Sequence, residues 1–451
     1  MKTATRWLLG IIVIVIGCVA PLHADTTAIV NVNVVAMTAE TVEAAQTVII
    51  KDGLIAEIGN VDETRIPEGT TLVDGTDRFL MPGLAEMHAH VPSPDSANLD
   101  RDFSLFVANG VTTIRGMLGQ HSHLALRQAL LDGDVFGPRL ITSGPSLNGR
   151  SVSGAANARE QVREQAALGY DFIKIHPGLS AEEFRAIAET ANELGIPFAG
   201  HVPVAAGLIE ALNLNMATVD HLDGYFVALL PADSHRSGGY GGFFDVMLAS
   251  ELEQQRIDEL AVATAAAGTW NVATQVLIEN RISDVSVDEL LNRPESKYMP
   301  RETLQRWADR KQQTITERDF NRDVANLAIE LRRRLIRALH EAGAGLLLGS
   351  DAPQVFNVPG FSLHRELEIL VAAGLTPYEA LQTGTTAVAA FLGTNTGTVE
   401  VGKAADLVLL NDNPLEDIRN AGRIHGVVLR GQWLAARALE ARLEKHRNDV
   451  N

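Results

Sequence analysis

Between residues 83 and 351 short apolar runs alternate with stretches of helical period. The runs are Gly83–His90, Val111–Arg115, Arg139–Thr142, Asp171–Ile175, Pro197–His201, Ala217–His221, Thr269–Thr274 and Gly345–Asp351. Each has strand length, and helical patterns lie between them. Strands alternating with helices predict parallel βα units and an α/β fold, here a (β/α)8 TIM barrel over residues 83–395. The fourth unit is the clearest. Ser180 and Glu183 form a capping box, the helix runs to Leu194, Gly195 ends it and Pro197 opens the next strand. Thr376-Pro377 repeats the signal as N-cap and first helical residue.

Both ends of the chain read differently. AIVNVNVVAM and TVIIKDGLIAEIGN are rich in Val and Ile, and Lys51-Asp52-Gly53 breaks the second like a hairpin turn. GTVEVGKAADLVLLND and IHGVVLRGQWL carry the same pattern near the C-terminus. The two ends are expected to build one small β-sandwich from residues 25–82 and 396–440, leaving 441–451 as a tail. Two stretches exceed a plain barrel. Leu230–Phe244 is loop-like through its glycines, and Ser283–Arg334 is charged and helical. Both follow strands, so both are expected on the C-terminal face, where barrels build their sites.

Composition narrows the function. A formal charge of −18 argues against a nucleic-acid partner, because phosphate binding needs a basic face. The single cysteine, Cys18, excludes an internal disulfide. Lys2 and Arg6 precede an apolar run from Trp7 to Ala20, which ends in small residues near Ala24. That order reads as a signal peptide over residues 1–24, and the run is shorter than the ~20 residues of a membrane span. The chain is therefore expected to be exported, periplasmic or secreted. Val15-Ile16-Gly17-Cys18 also resembles a lipobox, which would anchor the chain to a membrane through lipid on Cys18. Leu22-His23-Ala24 offers ordinary cleavage instead, and both routes stay open.

The chemistry gathers at strand ends. His88 and His90, two apart on one strand, point to the same side and can reach one ion. Lys174 lies in the strand Asp171–Ile175 among apolar neighbours. A buried lysine is expensive unless its charge is removed or paired. A neutral amine there can take up carbon dioxide as a carbamate, an anionic ligand able to bridge two cations. The alternative is a lysine snorkelling to the rim. His201, His221 and Asp351 end the fifth, sixth and eighth strands, each before a loop signal. Any one of them alone is as well explained as a hydrogen-bonded rim residue, whereas the whole set points to metal.

These residues sit in segments that resemble the amidohydrolase superfamily, within it the imidazolonepropionase-related and Xaa-Pro or Xaa-Arg dipeptidase branch. The segments are MPGLAEMHAHV, GVTTIRG, DFIKIHPG, PFAGHVP, TVDHLDG, LLLGSDAP, LHRELEILVAAGLTPYEAL and VGKAADLVLL, in family order. The resemblance implies that His88, His90 and Asp351 hold one ion. His201 and His221 hold the other, and a carboxylated Lys174 lies between. Family members often carry Gly directly after the second late histidine, where this chain has Leu222-Asp223-Gly224.

The expected reaction is hydrolysis of an amide in a dipeptide or N-acyl amino acid. Two divalent ions, zinc being the expected metal, would share a hydroxide, and Asp351 would shuttle the proton. Arg115, His176, Tyr225 and Tyr240 are candidates for substrate binding; Arg115 is equally well explained by pairing with a barrel carboxylate, and Tyr225 and Tyr240 are expected on a loop. Lactone or phosphotriester hydrolysis on the same centre is the rival enzymatic reading, and an exported, non-catalytic metal-binding protein is the other. Related amidohydrolases often form homo-oligomers.

Overall fold

The computed structural model describes residues 26–234 and 242–447. The expected signal peptide, Cys18 and Tyr240 lie outside the described residues. Among the described residues no helix is long and apolar enough to cross a membrane.

The two β-rich ends meet in one eight-stranded sheet. From one edge it runs Gln432–Ala435, Ile424–Leu429, Leu407–Leu410, Phe79–Pro82, Thr26–Val34, Glu43–Lys51, Leu54–Asn60, and Thr71–Asp74 also pairs with Thr26–Val34. The junction is antiparallel, with Leu407 opposite Pro82 and Leu410 opposite Phe79. Ile29, Val48, Ile50, Leu80, Leu407, Leu409 and Val428 pack into a buried cluster of this sheet, each worth about 1.5–3 kcal/mol of burial. The turn read at Lys51-Asp52-Gly53 is a two-residue hairpin loop. Lys51 pairs with Leu54, and Asp52 (φ 52°) and Gly53 (φ 78°) are both left-handed, as a type I′ turn demands.

The middle of the chain is a TIM-barrel-like α/β body. Its strands are β1 (Leu84–Ala89), β2 (Val111–Gly116), β3 (Arg139–Thr142), β4 (Ile173–Ile175), β5 (Phe198–Gly200), β6 (Thr218–Asp220) and β7 (Trp270–Val272). The first three form one parallel sheet and the next four another. Asp171 N donates to Thr142 O at 3.0 Å, and a parallel bridge joins Ser143 to Phe172, linking β3 to β4.

The expected eighth strand, Gly345–Asp351, makes only isolated bridges. Leu347 N donates to Asn271 O and Met87 N to Leu348 O, so this segment still lies between β7 and β1. Its ladder stops where Ser350 N turns to the Glu86 carboxylate at 2.8 Å instead of a carbonyl. Gly349 is required here, because a Cβ would come within 2.5 Å of Val272 and 3.0 Å of the His88 nitrogen.

The helices begin where the side-chain caps predict. Ser180 and Glu183 close a capping box on the helix Ala181–Leu194, and Gly195 ends it at φ 68°. Thr376 and Glu379 do the same for Pro377–Thr383. The charged stretch beyond residue 283 forms the helices Val287–Leu291, Arg301–Thr316 and Arg322–Glu341.

Candidate metal centre

Each residue singled out for metal sits at, or within two residues of, the C-terminal end of a barrel segment. His88 lies in β1, where the ladder with β2 shifts register between Glu86 and Ala89, and His90 follows it. Lys174 is central in β4. His201 directly follows β5, and His221 directly follows β6. Asp351 ends the irregular segment with φ 64°, and His221 has φ 62°. Such left-handed residues cost of order 1–3 kcal/mol each and mark positions held by their surroundings. Leu222 is left-handed as well at φ 54°, so its side chain bears a strain that Gly would avoid.

The side chains converge. Ligand atoms of His88, His221 and Asp351 all lie within 4.8 Å of one another. His90 Nε2 is 2.8 Å and His88 Nε2 3.7 Å from Asp351 Oδ1. The His201 and His221 rings are 4.8 Å apart, and those of His88 and His221 4.4 Å. Lys174 enters from below, its Nζ 3.8 Å from Asp220 Oδ2. Its path runs over Gly200 (φ 121°), where any Cβ would approach within 2.8 Å of the lysine Cδ.

A second set of groups, which sequence reasoning missed, aims these ligands. Asp220 Oδ2 lies 3.0 Å from His88 Nδ1, though off the line of a hydrogen bond. Its Oδ1 accepts from Thr218 Oγ1 at 2.7 Å and from the Arg115 guanidinium at 3.2 Å. Asp223 Oδ2 is 2.9 Å from His201 Nδ1, and Thr274 Oγ1 is 2.8 Å from His221 Nδ1. Fixing one ring nitrogen in this way turns the other toward a metal. Thr274 stands at the N-cap of the helix Gln275–Ile282 without capping it. Glu366 accepts from Gln275 N and Val276 N in its place, at 2.9 and 2.7 Å. The only sequence signal for this set was a carboxylate one residue before and two after His221.

Electrostatics match a ligand role. Burial, with Lys174 adding to it, holds His88 well below the ordinary imidazole range. Burial, then His88 and His201, does the same for His221. Both imidazoles are therefore neutral, with lone pairs to offer. Burial lowers the Lys174 amine to about 8 against the pull of Asp220 and Asp351. Lys174 Nζ and Asp351 Oδ1 are buried without a hydrogen-bond partner. Neutral imidazoles, a carboxylate oxygen that faces them without a hydrogen bond and a depressed amine form a donor set that fits divalent cations and a carbamate.

A cavity of about 190 Å³ opens above them. His88, His90, His176, His201, His221 and Asp351 line its floor, and Phe243, Phe244, Leu277, Arg281 and Gln354 its walls. Phe244 packs 4.9 Å from His221 and lies nearly parallel to His201 at 6.0 Å. His176 shares this cavity, its ring 5.0 Å from that of His201.

The placement of Tyr225 is corrected, and Arg115 takes the barrel-carboxylate alternative. Tyr225 is not on a loop; it starts the short helix Tyr225–Ala228 and is fully buried. Its hydroxyl donates to Asn271 Oδ1 at 2.8 Å and bonds Thr264 at 3.0 Å, on the core side of the barrel wall. Arg115 is buried too, bonded to Met87 O, Thr218 and Asp220. It lines a separate cavity of about 250 Å³ with Phe172 and Phe391, so its guanidinium serves Asp220. His364 bonds Asn109 O at 3.0 Å.

Comparison with known proteins follows the same lines. The profile of the amidohydrolase family matches residues 79–434. Ochratoxinase of Aspergillus niger is 23% identical over 443 residues, covering 82% of this chain and 78% of that protein. The solved bottromycin amidohydrolase superposes with a TM-score of 0.70 at 24% identity, over 93% of this chain and 90% of that one. A Xaa-Pro dipeptidase with methionine bound in its active site gives 0.64 at 18% identity, over 91% and 100%.

Proposed function

The chain belongs to the amidohydrolase family, and from that premise we propose that it hydrolyses the amide bond of a dipeptide or N-acyl amino acid. One observation carries the reading: His88, His221 and Asp351 offer ligand atoms within 4.8 Å of one another, beside a buried lysine amine that makes no hydrogen bond. The names of the Xaa-Pro dipeptidase and bottromycin amidohydrolase support an amide as substrate.

In this reading His88, His90 and Asp351 hold one divalent ion, zinc by its taste for imidazole, and His201 and His221 hold a second. Lys174, as its carbamate, would supply a further anionic ligand. Divalent ions bound there would polarise the scissile carbonyl and bring the pKa of water near neutrality. An amine lowered to about 8 keeps an uncharged fraction at neutral pH. Its lone pair forms the N–C bond to carbon dioxide and its proton leaves to solvent. The Asp351 carboxylate takes the proton of the attacking water and delivers it to the departing amine. Phe244, against His201 and His221, keeps bulk water from that transfer. Residues 83–395 form the catalytic barrel and the terminal strands a β-sandwich beside it. The N-terminal pattern supports export.

The test is metal analysis followed by turnover. The purified protein is expected to hold about two zinc ions per chain and to release amines from a dipeptide and N-acyl amino acid library. Turnover confined to lactones or phosphotriesters would overturn the proposal, as would full activity in Asp351→Asn.

A further inference from the structure

Arg281 is the one guanidinium lining the site cavity among the described residues. Its setting is built. Nε and Nη2 both donate to Thr314 Oγ1. Its Cζ lies 4.1 Å over the ring of Phe243. Phe243 in turn meets Phe244 edge-on at 4.6 Å, and Phe244 packs on His221. Two ring contacts therefore separate this cation from the histidines, and the hydroxyl and the ring fix its plane.

What the guanidinium lacks is an anion. No carboxylate of the described residues pairs with it. Glu317 favours its charge only through space, and burial lowers it to about 10, so it stays charged at neutral pH. Arg115, by contrast, is paired directly with the Asp220 carboxylate at 3.2 Å. A positive charge held rigid, part-buried and unpaired in an active-site wall is arranged for an anionic partner that arrives from outside. Leu277 beside it makes that end of the cavity apolar.

We infer that Arg281 is the specificity-determining residue for the free carboxylate of the substrate, taking the α-carboxylate on the leaving-amine side while Leu277 and Phe243 face the adjoining side chain. The inference rests on the amide-hydrolase reading of the same site. It makes the enzyme one that demands a free C-terminal carboxylate, not an internal peptide bond or a capped amide. Thr314 is a positioning residue that acts through Arg281.

Calorimetry on the zinc-loaded protein separates this inference from the reaction. L-Leucine and L-leucinol share amine and side chain and differ in the carboxylate. The native protein is expected to bind leucine about 10–100-fold more tightly, the range of a charge-assisted bidentate contact. Arg281→Gln brings the two ligands to near equality, Arg281→Lys keeps part of the preference, and Thr314→Val weakens it while zinc content stays unchanged. Equal binding by the native protein overturns the inference. So does a preference that survives in zinc-loaded Arg281→Gln, since the metals would then hold the carboxylate. Release of leucine from N-acetyl-L-leucine is scored separately. No release from this or any member of the dipeptide and N-acyl amino acid library, with the Arg281-dependent preference intact, sinks amide hydrolysis and leaves the carboxylate site standing.

Discussion

Gly200 and Lys174 occupy adjoining space so tightly that a single methyl on the glycine would fall 2.9 Å from the lysine nitrogen. The same methyl would sit 2.6 Å from Ile175 O, and the glycine's φ of 121° lies outside the reach of most L residues. Gly200→Ala is expected to push Lys174 off its course. The protein should retain less than its full zinc complement and lose turnover by at least about 100-fold, as displacement of a catalytic group by ~1 Å can do. Metal analysis and kinetics on the folded variant check it. Native zinc content and rate would show that Lys174 needs no such room.

Asp220 is expected to act as a tether for two cations and one imidazole. Asp220→Asn keeps the shape and removes the charge that faces Arg115 and His88. Zinc affinity should fall about 10–100-fold through loss of His88 orientation. Stability should fall by roughly 3–5 kcal/mol, because the Arg115 charge is left buried and unanswered. Chelator competition and urea unfolding measure the two effects separately.

Tyr225→Phe tests the correction made to that residue. Its hydroxyl serves Asn271 and Thr264 in the core. Removing it is expected to cost about 1–3 kcal/mol of stability by leaving Asn271 Oδ1 short of a donor. KM should not change. A raised KM at unchanged stability would return Tyr225 to the substrate.

Burial raises the Glu366 carboxyl from 4.5 to about 7, against the backbone N–H groups of Val276 and Gln275. The folded state therefore holds this proton more firmly than the unfolded chain does. The cost of ionising it in place is absent below pH 4.5 and fully present above pH 7, so its contribution to stability falls as pH rises through that window. The full swing is roughly 3 kcal/mol. Glu366→Gln should flatten the curve of unfolding free energy against pH between those limits, as chemical denaturation at a series of pH values will record.

Much of this arrangement was legible in the sequence because it depends on local signals. Strand-length apolar runs, capping boxes at Ser180 and Thr376, and polar residues stranded at run ends need only neighbours to be read. The hairpin at Asp52-Gly53 is the same case. The misreadings come from contacts across the chain. Tyr225 follows Gly224 and looks like loop, yet its hydroxyl meets Asn271 from another strand. Arg115 ends a strand facing inward, and nothing nearby in sequence reveals that Asp220 will claim it. Thr274 and Arg281 carry no motif at all. Their roles exist only once the strands have brought separate segments together. The last barrel segment reads as a strand by its leucines, but a buried Glu86 takes the ladder's place at Ser350.

The pairing of Leu407–Leu410 with Phe79–Pro82 also has a meaning in time. While a ribosome works through the intervening barrel, at ~5–20 residues per second, the edge of Phe79–Pro82 waits roughly 15–60 s for its neighbour. Until then the first strands are an open flank, available to any stray extended segment. A newborn chain stopped short of residue 407 would keep that flank for good, and its early strands would be its point of weakness.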